Sequence, residues 1–123
     1  MLTLEFLADG SPDCPLLLLH GKSPAVARSL AGALAAMTSE GLELHAFPGV
    51  EAVAGCRVSA HLARRDQGIR QLGPTEFAWE LTFDGWGQVA ALMEPFTAMS
   101  PTDGFQWLQT GNISFIVSTT RRW

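Results

Sequence analysis

"CPLLLLHGKSPAVARSL", residues 14–30, decides how this chain is read. The bare apolar run Leu16–Leu19 breaks at His20-Gly21, and an apolar pattern of helical period follows. Ser23-Pro24 has the form of a helix start: a hydroxyl at the cap position, then a proline where a missing N–H is no loss. The stretch reads as a short buried strand, or an extended entry, turning into a helix over residues 24–39. Val26, Leu30, Leu34 and Met37 mark its buried stripe at steps of four and three. Gly41 closes it as the residue past the C-cap. A second face carries Ala25, Ser29, Gly32 and Ala36, which are small rather than charged. That face predicts either a helix held between the sheet and another element, or close packing against a second subunit or partner.

Outward from this junction, period-two alternation marks the strands. Leu2, Leu4 and Phe6 alternate with Thr3 and Glu5, which predicts a strand over residues 2–8. "LELHAF" (42–47) is the next strand, and "PGVEAVAG" (48–55) is a loop. In "CRVSAHLAR" (56–64), Cys56, Val58, Ala60 and Leu62 share one face; Arg57, Ser59 and His61 share the other. "RDQG" (65–68) turns the chain, and "IRQLGPT" (69–75) returns. "EFAWELTF" (76–83) puts Phe77, Trp79, Leu81 and Phe83 on one side, a pattern that means core. "DGWGQVAALMEPFTAM" (84–99) predicts a second, short helix with Asp84 as N-cap, ending near Glu94 because the residue before Pro95 avoids the helical region. Trp86, Val89, Met93 and Phe96 share its buried face. "SPTDG" (100–104) is a loop, and 105–110 with 113–123 form a closing hairpin around Gly111-Asn112.

The order β-α-β-β-β-α-β-β, with no repeat or linker visible, predicts a single α+β domain. It should hold a curved, mostly antiparallel sheet of about five to six strands with two helices on one face. Hydrophobic residues make up 47% of the 123 positions and charged residues 16%, so the chain can fill a core but has few charges to cover its surface. An exposed patch, and with it a protein partner or self-association, is expected. The net charge is −4 and Lys22 is the sole lysine, which speaks against nucleic-acid binding and against a membrane surface. The apolar N-terminal run is too short for a leader, and no run is long enough to span a bilayer. A cytoplasmic location, with Cys14 and Cys56 reduced, is the expectation.

Particular residues invite several chemistries. "LLLLHG" is similar to the strand and oxyanion loop of α/β-hydrolases, but no G-x-S-x-G occurs and the chain is too short for that fold. Gly21-Lys22-Ser23 matches the end of a P-loop, yet Leu16 stands where the first glycine belongs. A weaker anion site at the helix start remains open. His20, His45 and His61 are too widely spaced to announce a metal site. Cys56 and His61 fall on opposite faces of one strand, so they cannot pair within it. No cofactor and no metal are expected.

One basic concentration stands out in this acidic chain. Arg57, Arg64, Arg65 and Arg70 gather around the 65–68 turn, with His61 and Glu80 on the same sheet face. Arg–Glu pairs there would make a solvated face; the alternative is a recognition surface. Trp123, after Arg121-Arg122, is either docked on the core or an exposed anchor. The leading expectation is a small intracellular, non-enzymatic protein-binding module, such as an inhibitor, an immunity-like or chaperone-like partner, or an accessory subunit. Its binding residues would be Arg57, His61, Arg64, Arg65, Arg70, Glu80 and Trp123. The alternative is a ligand-binding or enzymatic α+β domain with a pocket near His20, His45, Cys56 or His61. A third reading is a homodimer through the small-residue face of the first helix.

Overall fold

Alternation places the strands, and burial on one or both faces decides their composition. The computed structural model describes residues 1–100 and 102–123; Pro101, read above as loop, lies outside them. In chain order the elements are β1 (Leu2–Leu7), β2 (Leu16–His20), α1 (Pro24–Ala35), β3 (Leu42–Glu43), β4 (Val50–Ala52), β5 (Arg57–Leu62), β6 (Gly68–Gly73), β7 (Glu76–Leu81), α2 (Phe83–Leu92), β8 (Phe105–Gln109) and β9 (Ser114–Ser118). The α+β class holds, with two helices.

The strands divide between two mixed sheets instead of forming one. The first has the order β4-β1-β2-β9-β8 and the second β3-β5-β7-β6. Three neighbouring pairs are parallel: β1 with β4, β2 with β9, and β5 with β7. β6 does not return beside β5; β7 lies between them. The physical reason is burial. Phe77 and Trp79 on β7 are fully buried, which requires a central strand, whereas the sequence of β6, with Arg70 and Gln71, tolerates an edge.

The inner faces of both sheets and both helices share one core. Trp79 of the second sheet stacks on Phe115 of the first, ring centres 4.6 Å apart, and meets Trp86 of α2 edge-on at 4.9 Å. Phe6 packs on Phe77 at 4.6 Å, a second bridge between the sheets. The run Leu16–Leu19 is unbroken because β2 is buried on both sides. Leu17 and Leu19 face the main core. Leu16 and Leu18, with Ile116, form a second cluster on the far face, under Leu7, Cys14, Trp107 and Trp123.

Local expectations shift in several places: Phe83, read on the core face of the strand, opens α2 and is 59% exposed, and the first helix ends at Ala35 rather than at residue 39. Ser23 sits at the N-cap of α1, but its hydroxyl makes no capping bond. Thr82, not Asp84, caps α2, its hydroxyl accepting from the Gly85 N–H at 3.0 Å. "LELHAF" is strand only over Leu42–Glu43 and then a 3-10 turn, Leu44–Ala46. "PGVEAVAG" contains β4, whose Leu2↔Val50 to Leu4↔Ala52 pairing extends the first sheet.

The topology has an internal two-fold relation that no sequence repeat announces. The hairpin β1–β2 leads into α1, and the hairpin β6–β7 leads into α2. Within each sheet the second hairpin strand pairs in parallel with a strand from the other half of the chain: β2 with β9, and β7 with β5. Each of those pairs antiparallel with one more strand, β9 with β8 and β5 with β3. Two ββαββ halves thus exchange their closing strands. The helices match residue by residue: Ala27, Leu30, Leu34 and Met37 are buried at the same steps of three, four and three as Trp86, Val89, Met93 and Phe96. Among the described residues, β4 has no counterpart in the second half.

Candidate functional site

The register of the second sheet brings Arg57, His61 and Arg70 to one face. Arg57 lies opposite Glu76 and His61 opposite Glu80, while Arg70 lies opposite Ala78. Side chains alternate across a strand, so these positions share the face turned away from the core, where Val58, Ala60, Phe77 and Trp79 point inward. Arg70 Nη2 sits 3.0 Å from Glu80 Oε1. Arg57 therefore does not meet Glu80; the carboxylate is taken by Arg70 and flanked by His61. Arg64 and Arg65 are exposed on the turn after β5. Among the described residues, no ion pair engages Arg57, Arg64 or Arg65. Ala63, Gln67, Arg70 and Glu80 line a shallow cleft of about 340 Å³ on this face.

Trp123 lies elsewhere, on the outer face of the first sheet. Its ring covers part of the Leu16–Leu18–Ile116 cluster, and its indole N–H donates to Asp13 Oδ2 at 3.0 Å. Beside it Arg121, in the left-handed region at φ 70°, forks onto Glu5. Arg121 and Glu5 were not singled out from the sequence; 116 positions of separation hide the pair. Arg121 holds the Glu5 carboxyl below its ordinary range, against the opposing effect of burial, with His20 adding to the lowering.

The histidines and the core cysteine are dispersed. The His20 imidazole N–H donates to Glu5 Oε2 at 2.7 Å, since the carboxylate can only accept. His45 Nδ1 accepts the Val58 N–H at 3.0 Å, which leaves the ring proton on Nε2. His61 is exposed on the outer face of β5, and its backbone carbonyl takes the Trp86 indole N–H at 3.0 Å. Cys56 is 1% exposed, and burial, reinforced by the Glu5 charge, pushes its thiol up to about 11. Such a thiol is protonated at neutral pH and is a poor nucleophile. Among the described residues, no group of three or more His, Cys, Asp or Glu is placed to hold a metal ion. Lys22 of "HGKS" pairs with Asp103.

The small-residue side of α1 is not sandwiched. Ala25, Ser29, Gly32 and Ala36 are all exposed, and a methyl group added at Gly32 would meet nothing within 4 Å. Among the described residues, no helix is long and apolar enough to cross a membrane. Compared with known families, curated proteins and solved structures, the chain matches none.

Proposed function

We propose that this chain is a small intracellular, non-enzymatic protein-binding module that meets its partner through the outer face of β5, β7 and β6. The observation that carries this reading is the concentration of arginines on an uncovered sheet face. Arg57 and Arg70 project from strands of that face, and Arg64 and Arg65 extend it along the rim. The guanidinium groups of Arg57, Arg64 and Arg65, which make no ion pair among the described residues, suit fork-like contacts with the carboxylates of another protein. The basic patch lies in a chain of net charge −4, so it directs an acidic partner to one face and repels it from the rest. Of the four candidate groups for nucleophilic or metal chemistry, three have structural duties: His20 binds Glu5, His45 binds Val58, and Cys56 is sealed in the core; His61 is exposed on the binding face.

The test is quantitative capture from the cells that make the protein, comparing the wild type with an Arg57→Glu, Arg64→Glu, Arg65→Glu variant. A protein recovered in stoichiometric amount with the wild type and lost with the variant supports the reading. Recovery of the same proteins with both removes this face as the interface. Turnover of a substrate by the purified chain, abolished at any of these residues, defeats the non-enzymatic reading.

A further inference from the structure

The two-fold relation between the halves identifies one position that is filled in the first half and open in the second. After β3, the first half carries a segment through Leu44–Ala46 to β4. Leu44 is buried, Phe47 packs on the core, Gly49 lies against Val26 of α1, and Val50–Ala52 pair in parallel with the start of β1. In the second half β8 passes to β9 through a short turn, and among the described residues no strand other than β7 pairs with β6.

The place where that segment would lie is a cleft. It has a volume of about 230 Å³, and Leu81, Val89, Leu92 and Leu108 wall it, with Asp66 and Gln109 at the mouth beside β6. The α2 wall is the counterpart of the one the first half fills: Gly85 precedes Trp86 as Val26 precedes Ala27. Leu92 is left 38% exposed at this cleft, and Leu72, on the neighbouring edge strand, is 53% exposed. β6 pairs with β7 on one side only, so its other row of N–H and C=O groups is free to form a ladder.

We infer that this cleft and the open edge of β6 receive an extended segment of a partner protein. The segment inserts an apolar side chain between α2 and β8 and runs parallel to β6, as residues 47–52 run on β1. This rests on the protein-binding reading above and adds the form of the ligand. The direction argues against a second copy of this chain, because two β6 strands related by a two-fold axis normal to the sheet pair antiparallel. The chain's own segment is already committed to β1.

A displayed library of random peptides, selected against the full-length protein, tests this. Selected peptides are expected to slow hydrogen exchange at the backbone amides of Gly68–Arg70, the counterpart of the start of β1. They should bind Leu92→Lys at least about tenfold more weakly, the loss expected when a buried apolar anchor is blocked. Leu92→Trp, which fills the cleft without adding charge, should give the same loss; an unchanged melting temperature shows that either variant still folds. Peptides that protect the Arg57–Arg64 surface instead, and bind Leu92→Lys as well as wild type, overturn the cleft and leave the protein-binding reading standing. A library that enriches nothing overturns the cleft as a peptide site, while the protein-binding reading stands or falls by the capture test.

Discussion

Arg121 forks onto Glu5 across the outer face of the first sheet, with Nη2 2.8 Å from Oε1 and Nε 3.1 Å from Oε2. The pair pins the segment after β9 to β1. Because the folded pKa of Glu5 is depressed below its ordinary 4.5, its contribution is complete above that value and is lost as pH falls through the folded pKa. Urea midpoints recorded from pH 7 downward should therefore fall less steeply below about pH 4.5 in Glu5→Gln than in wild type. At neutral pH the substitution should cost about 1 kcal/mol, a figure discounted for the solvent around Arg121. Parallel acid limbs would show that the pair carries no linkage.

Cys56 and Cys14 should differ in reactivity. Cys14 is half-buried and Cys56 fully buried, with its thiol pushed up to about 11. In native buffer an alkylating reagent should label Cys14 and leave Cys56 unmodified, as read by mass spectrometry of proteolytic peptides. Labelling of Cys56 at the rate of an exposed thiol would contradict its place in the core.

Two glycines should respond with opposite signs. A Cβ at Gly49 would lie 2.4 Å from Val26 Cγ2, and the residue has φ +90°. Gly49→Ala should lose more than about 2 kcal/mol through clash and backbone strain. Gly32, inside α1, has open space around it, so Gly32→Ala should gain about 0.5–1 kcal/mol from helix propensity. Thermal denaturation of the two variants separates them; a loss at Gly32 would mean its exposed face is covered in solution.

Gln109 supplies the acceptor for the buried indole of Trp79, Oε1 lying 3.0 Å from Nε1. Gln109→Leu should cost about 1–3 kcal/mol, because the N–H loses its partner in an apolar setting. Stability close to wild type would indicate that water reaches this end of the ring.

Trp123→Ala should uncover Leu16, Leu18 and Ile116, which are all 0% exposed in the folded chain. The expected loss is about 1–3 kcal/mol, accompanied by stronger binding of a hydrophobic dye. Unchanged dye binding would mean that Trp107, Leu7 and Cys14 suffice to cover the cluster.

Much of the fold was legible where local pattern carries the information. The alternation in 76–81 and 57–62 located β7 and β5, and the stripes through Leu30 and Trp86 located both helices. The stripe read for the first helix begins at Val26; the structure buries Ala27 instead, and only with Ala27 do the two stripes repeat the same steps and disclose the internal two-fold. Of the expected binding residues, Arg57, His61, Arg70 and Glu80 do share one face, because strand alternation dictates it. Trp123 lies apart from them, since nothing local to 119–123 says which sheet the segment crosses.

The sequence by itself determined both helices, most strands and most inward residues, because side-chain period follows directly from backbone geometry; β4, read as loop, and Phe83, read as core but 59% exposed, are where it failed. Only the tertiary structure decided that the strands split into two sheets, that β7 separates β5 from β6, and that β4 covers β1 while β6 stays open. Backbone N–H and C=O groups are the same at every residue, so a ladder does not encode its partner. Partner choice is settled by the large buried side chains, Trp79 on Phe115 and Phe6 on Phe77, which bring the two sheets together from distant parts of the chain.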